Sequence, residues 1–196
     1  NCLHGVPSVG TNKLADIKQM VGSNDGVVGL SRINSTNKVV AGNYMHIPSY
    51  DALGLGGKFV FSGWYKPESG EKYPKLVARS ITWKDNGWGV EIPPSQTAVT
   101  VVGGQNTNGK ILSGCKIPTT LLGNWSYFTF CFDGDQASLY HNGNFITNGV
   151  IYPATDNGLP LSFGSMSEGK QTGSISFHGK YDELRLMGGN LSAARI

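Results

Sequence analysis

An all-β fold, an antiparallel β-sandwich or barrel, is what this sequence predicts, and three observations carry the prediction. Roughly a dozen strand-like runs follow one another at spacings of about 8 to 14 residues, with polar turns between them. Glycine is abundant, at 28 of 196 residues, while only 15% of the chain is charged. That composition suits many strands linked by turns and argues against a coiled coil. Alternating strand and helix patterns are missing, so a parallel sheet is not expected. The length suits one generous sandwich, and no propeller or solenoid repeat appears.

Taken in order, residues 1–24 are the least regular, and we expect them to be a lead-in or the end of a preceding domain, with the main domain spanning 25–196. Within the lead-in, Leu14, Ile17, Met20 and Val21 recur near helical spacing. Lys13–Val21 therefore reads either as a short helix or as a connecting segment. Strand-like sequence starts at Asp25–Ser31 and continues over Lys38–Ile47, ending at Pro48. Lys58–Lys66, closed by Pro67, places Phe59 and Phe61 on one face and Val60 and Trp64 on the other, because side chains alternate along a strand. After the polar turn Glu68–Pro74 come strands at Lys75–Trp83 and Trp88–Ile92, where Pro93 and Pro94 interrupt the ladder. Thr97–Val102 and Lys110–Ile117 follow, separated by a Gly/Asn/Gln loop.

Asn124–Asn144 is the most strongly patterned stretch. Ser126, Phe128, Phe130 and Phe132 point one way, and Trp125, Tyr127, Thr129 and Cys131 the other. Both faces carry large apolar groups, as a strand covered on both sides would. Asp133-Gly134-Asp135-Gln136 then turns the chain into a strand in which Leu139 alternates with Tyr140. Its Asn142-Gly143 exit is the signature of a tight hairpin needing positive φ. Phe145–Ile151, Leu159–Gly164 and Ser174–Met187 complete the strands, and Leu191–Ile196 reads as a helical turn.

Several function classes are disfavoured at once. The formal charge of +3 is mild and scattered, so no basic track for nucleic acid exists. No apolar run of about 18 residues is present, so membrane insertion is not expected. Cys2, Cys115 and Cys131 are odd in number and cannot all pair within the chain. Cys131 is expected as a buried thiol, with a Cys115–Cys131 bridge as the alternative. Asn34, Asn124 and Asn190 head glycosylation triplets. The chain begins at Asn1 without Met, and we expect it to be part of something larger.

Four segments, in order, carry a family resemblance. They are Tyr44–Pro48 followed by Phe59–Pro67; Gly87–Ile92; Trp125–Gly134 leading to Leu139–Gly143; and Leu161–Ser165 followed by Phe177–Leu186 and Leu191–Ile196. Together they resemble the laminin-G-like members of the concanavalin A-like lectin/glucanase superfamily. The resemblance covers about residues 25–196, and the aspartate-led closing strand with its leucine-serine turn is its most specific part. It implies a concanavalin A-like jelly roll of two stacked sheets and an extracellular, cell-surface or periplasmic setting beside other domains of a parent chain. It implies no single activity, since that fold hosts lectins, adhesion modules, hydrolases and lyases.

The residues themselves disfavour catalysis. Glycoside hydrolysis needs two cooperating carboxylates, and the Glu-x-Asp-x-(x)-Glu pattern of the related glucanases is missing. Asp182 and Glu183 are adjacent and should face opposite sides of their strand, and Glu91 stands alone. A lyase groove would draw on Arg79, Tyr140, His141 and His178, which no spacing unites. The resemblance implies one structural calcium ion, with Asp182 as the closing aspartate. Asn43, in Ala41-Gly42-Asn43, replaces an aspartate that relatives often carry, and an amide carbonyl ligates without adding charge. Without calcium, Asp182 would cap a turn or pair with Arg185.

A glycan site needs aromatics for stacking beside short polar groups. The Trp83–Trp88 hairpin offers Trp83, Asp85 and Asn86, and the Gly103–Gly109 loop offers Asn106 and Asn108. The plainer reading makes Trp88 core and Asp-Asn-Gly an ordinary turn. The aromatics of Asn124–Asn144 are expected in the core, leaving function to the edge loops. The expected function is a non-catalytic extracellular module that binds carbohydrate or another cell-surface ligand. The alternatives are a structural or protein-interaction spacer and, third, a polysaccharide hydrolase or lyase.

Overall fold

A computed structural model describes residues 6–8, 28–30, 34–35, 38–39, 44–47, 58–68, 73–80, 87–103, 110–117, 120–134, 136–150, 159–166 and 177–188. These residues form strands and connecting turns, with no helix among them. The strands are β1 (Val6–Ser8), β2 (Val28–Leu30), β3 (Asn34–Ser35), β4 (Lys38–Val39), β5 (Tyr44–Ile47), β6 (Lys58–Pro67), β7 (Lys75–Arg79) and β8 (Trp88–Glu91). They continue with β9 (Ala98–Gly103), β10 (Lys110–Lys116), β11 (Ser126–Asp133), β12 (Gln136–His141), β13 (Asn144–Val150), β14 (Leu161–Phe163) and β15 (Gly179–Gly188). A seven-stranded sheet runs β1-β5-β14-β7-β8-β9-β10, and a six-stranded sheet runs β13-β12-β11-β6-β15-β2. The β3–β4 pair is a separate ribbon, so the expected single strand over Lys38–Ile47 contributes to two different pairings. Lys13–Val21, Leu191–Ile196 and Cys2 lie outside the described residues.

Period-two patterning places the core where the sequence puts it. Phe59, Phe61 and Tyr65 of β6 and Phe128, Phe130 and Phe132 of β11 face inward and are buried. From the other sheet come Leu76, Val77, Trp88, Val90, Val99, Val101, Leu161 and Phe163. Each such side chain contributes about 1.5–3 kcal/mol on burial. Trp88 joins the layers, with ring centroids 5.2 Å from Phe59 and 4.9 Å from Phe132. Phe61 meets Phe163 at 5.5 Å, and the Tyr181 hydroxyl donates to the Leu76 carbonyl at 3.0 Å.

Local chemistry accounts for the turns. Asn142 and Gly143 have φ of 50° and 78°, the doubly positive geometry that twists with the strands it joins. Asn142 Oδ1 accepts from the Tyr127 amide at 2.9 Å, tying that turn to the start of β11. At Asn124 the side-chain amide donates to the Thr120 and Leu122 carbonyls.

Two expectations are corrected here. The outer face of β11 is only partly covered, leaving Tyr127 and Cys131 half-buried, because the partner sheet packs on the phenylalanine side alone. Cys131 therefore lies on the outside of the six-stranded sheet, while Cys115 is buried in the core. Both are free thiols, and the Cys115–Cys131 bridge does not form.

Candidate functional site

Trp83, Asp85, Asn86, Asn106, Asn108 and Asn43 lie outside the described residues. The strands flanking the two candidate loops are described, and their register decides where the loops emerge. Arg79 pairs with Trp88, Trp88 with Gly103, and Gly103 with Lys110. These four positions stand side by side across β7, β8, β9 and β10. Both loops therefore open from one end of the seven-stranded sheet, a proximity that sequence spacing alone does not show. Trp88 is core, as the plainer reading of that hairpin has it.

On the outward side of this sheet lies a cluster that sequence reading missed. Glu91, the one carboxylate of its strand, forms a buried ion pair with Lys75, its cross-strand neighbour. Thr100 faces Glu91 from β9, and Ser162 faces Ala78, which in turn faces Gly89. The floor between the polar groups is thus built from the smallest side chains. Lys75, Glu91, Thr100 and Ser162 are all buried, and Ser162 Oγ has no hydrogen-bond partner. Burial pushes the Glu91 carboxyl up, opposed by the Lys75 charge, and pushes the Lys75 ammonium down, opposed by Glu91. A raised carboxyl in a cleft is one mark of a catalytic acid, but Glu91 is 3% exposed and salt-bridged. No substrate reaches it, and the pair acts as structure.

The other described carboxylates are also engaged in local contacts. Asp133 pairs with Lys58 at 2.7 Å, Glu68 with Lys180 at 3.5 Å and Glu183 with Arg185 at 3.3 Å. The partner of Arg185 is thus Glu183, not Asp182. A register shift between Asp182 and Arg185, with Glu183 at a φ of 47°, breaks the simple alternation expected there. Asp182 Oδ1 accepts from the Glu183 amide at 2.8 Å, a local contact of the turn-capping kind. No group of three potential metal-ligating side chains converges among the described residues.

The four residues of a hypothetical lyase groove do not converge. Arg79 is buried in β7 and donates through Nε to the Leu159 carbonyl at 2.9 Å. His141 belongs to the other sheet and packs on Phe128 with centroids 5.0 Å apart. Burial lowers its pKa, and its Nε2 has no partner. His178 precedes β15, and Tyr140 sits on the outer face of β12.

That outer face carries Tyr127 and Tyr140, which the sequence expectation places in the core, together with Trp64 and Phe145. Trp64 of β6, Tyr127 of β11, Tyr140 of β12 and Phe145 of β13 come from four consecutive strands of the six-stranded sheet. Trp64 pairs in register with Tyr127, and Tyr140 with Phe145. Their ring centroids are 5.2 Å and 5.5 Å apart. Ser62 and Thr129 lie between these rings in the register and are buried, and Ser62 Oγ accepts from the Tyr127 hydroxyl at 3.0 Å. Phe145 is 56% exposed, and Trp125, two residues before Tyr127, is 37% exposed. Alternation within Asn124–Asn144 was the available signal, since it separates these residues from the phenylalanines.

Comparison with known proteins agrees with this architecture. A laminin-G family model of the concanavalin A-like lectin/glucanases superfamily matches residues 21–196. Among solved structures, domain 4 of AbnA, an extracellular GH43 arabinanase from Geobacillus stearothermophilus solved with arabinotriose, is 17% identical with a TM-score of 0.60. The match covers 86% of this chain and 84% of that one. The CBM40 of the Ruminococcus gnavus IT-sialidase is 12% identical with a TM-score of 0.63, over 86% of this chain and 95% of that one. A heptameric SAP-like pentraxin from Limulus polyphemus is 14% identical with a TM-score of 0.57, covering 87% and 80%. No curated protein sequence matches. At these identities the structural likeness establishes the fold.

Proposed function

Because the chain belongs to the concanavalin A-like lectin/glucanases superfamily, we propose that it is a non-catalytic module that binds carbohydrate, within a secreted or cell-surface protein. The observation carrying this reading is the side-by-side register of Arg79, Trp88, Gly103 and Lys110. It brings the loop bearing Trp83, Asp85 and Asn86 and the loop bearing Asn106 and Asn108 to one end of a rigid sheet. A tryptophan ring, short amides and a carboxylate are residue types suited to sugar C–H faces and hydroxyls. Further support comes from similar folds: domain 4 of the arabinanase was solved with arabinotriose and the CBM40 with α2,3-sialyllactose. The engaged state of every described carboxylate favours binding over hydrolysis.

A glycan array probed with the wild-type chain, Trp83→Ala and Asn86→Ala tests the proposal. Binding to a defined glycan that falls at least tenfold in either variant is expected. Binding to no glycan would favour the spacer reading, and depolymerisation of any polysaccharide would overturn the non-catalytic one. Running the array and a thermal melt with chelator and then with calcium tests the ion proposed at Asn43 and Asp182. A calcium-dependent rise in Tm supports that ion, and an unchanged Tm removes it.

A further inference from the structure

We infer that the outer face of the six-stranded sheet is a second glycan surface, an aromatic ladder for a neutral polysaccharide chain, distinct from the loop end. The inference rests on the carbohydrate-binding reading above but places a second site on the other sheet. Four neighbouring strands each present one ring, Trp64, Tyr127, Tyr140 and Phe145, and Trp125 extends the surface along β11. Neighbouring strands are about 4.8 Å apart, so the rings step across the sheet at close to the length of one sugar unit. Trp64 and Tyr127 share one register row, Tyr140 and Phe145 the next, so the ladder runs diagonally over two rows.

The chemistry of the surface selects its occupant. The five ring residues carry no formal charge and Thr129, Ser138 and Asn148 beside them are neutral, while the β6–β15 flank carries charges of both signs, with Asp182 opposite Trp64, Arg185 opposite Ser62 and Lys180 opposite Lys66. Arg185 and Lys180 are already paired with Glu183 and Glu68, which leaves a strongly acidic glycan little counter-charge beside the rings. Exposed ring faces attract apolar C–H surfaces, while neighbouring hydroxyls and amides can meet sugar hydroxyls. A protein partner fits poorly by size. Four strands span about 14 Å, and Trp125 to the Thr129 row is about 14 Å along the strand. The strip therefore offers on the order of 200 Å², against the roughly 800 Å² that each partner buries in a stable protein complex.

The test is affinity gel electrophoresis of the full chain in arabinan, xylan and mixed-linkage β-glucan, comparing wild type with Trp125→Ala, Phe145→Ala, Phe145→Tyr and Trp83→Ala. Trp125 and Phe145 are exposed, so their alanine variants should melt within a few degrees of wild type, which a thermal scan verifies. Losing one stacking ring should weaken binding about tenfold, with Phe145→Tyr retaining it. Retarded migration that survives Trp83→Ala but fails in the Trp125 and Phe145 variants supports the ladder. Retardation abolished by Trp83→Ala and unaffected by Trp125→Ala and Phe145→Ala overturns the ladder while leaving the loop site standing. No retardation in any of the three polysaccharides, with array binding intact, overturns the ladder alone.

Discussion

Replacing Glu91 by glutamine should destabilise the protein by far more than an ordinary surface ion pair is worth. Lys75 and Glu91 are 2% and 3% exposed, so Glu91→Gln leaves an ammonium group buried beside a neutral amide. Breaking a buried pair in this way costs about 3–5 kcal/mol, because the remaining charge cannot regain its water. For a chain of this size, each kcal/mol lowers Tm by about 2–4 °C, so a fall of about 6–20 °C is expected. The deficit should depend on pH. Burial already pushes the Lys75 pKa below its ordinary 10.5, and removing Glu91 removes the influence that opposes this. A folded-state lysine with a depressed pKa loses stability as pH falls below the unfolded value, so the variant should recover toward alkaline pH. The double variant Lys75→Met/Glu91→Leu eliminates both charges at similar volume, and should come within about 2 kcal/mol of wild type or exceed it. Urea unfolding of the wild type, Glu91→Gln, Lys75→Met, Glu91→Leu and the double variant, at several pH values, completes the cycle. A Glu91→Gln loss below about 1 kcal/mol would sink the argument, since it would mean that water reaches Lys75 and the outward face of the sheet is open.

Other perturbations follow from the same packing. His141 is buried with a lowered pKa, so the unfolded chain binds its proton more readily. Stability should hold above about pH 7 and fall as pH drops through the unfolded value near 6.5, by at most about 1.4 kcal/mol per pH unit; His141→Phe should remove that share of the slope in acid titrations. Burial pushes the thiols of Cys115 and Cys131 up to about 11. At neutral pH, iodoacetamide should therefore label half-buried Cys131 slowly and core Cys115 only after unfolding, and mass spectrometry should find no bridge between them under mild oxidant. At Gly63 an added Cβ would sit 2.6 Å from Leu184 Cδ2 and 3.3 Å from Leu184 Cα. Gly63→Ala should accordingly lower stability by about 1–3 kcal/mol in denaturant unfolding, with Leu184→Ala partly restoring it.

Much of the scaffold was legible because local chemistry decides it. Alternation in Lys58–Lys66 and Ser126–Phe132 separates the inward phenylalanines from their neighbours, since a two-residue period is forced by the strand itself. Asn142-Gly143 announces its turn through the positive φ that both positions need. What stayed hidden depends on which strands become neighbours. Lys75 and Glu91 are sixteen residues apart, and only the β7–β8 register, itself shifted between Lys75 and Val77, sets them opposite each other. Likewise β14 enters the seven-stranded sheet between β5 and β7, a placement no local pattern encodes. At Asp182 and Glu183 the bulge redirected both side chains and so changed the partner of Arg185.

The outer-face aromatics show where such reasoning stops and what the structure adds. Period two correctly grouped Trp125, Tyr127, Thr129 and Cys131, yet it is silent on whether their shared face meets protein or water. An apolar face invites the inference of burial, since covering it is favourable in proportion to the area removed from water. Among the described residues the six-stranded sheet has one partner sheet, and the phenylalanines of β6 and β11 occupy the side that meets it. The remaining rings must then either pack on one another or wait for something else to cover them. Trp64 with Tyr127, and Tyr140 with Phe145, do the first in part. Phe145 nonetheless stays more than half exposed, and keeping so large an apolar ring in water is a standing cost that a bound ligand would remove. That exposed ring makes the face of the sheet, and not the loops alone, a place for a ligand to bind.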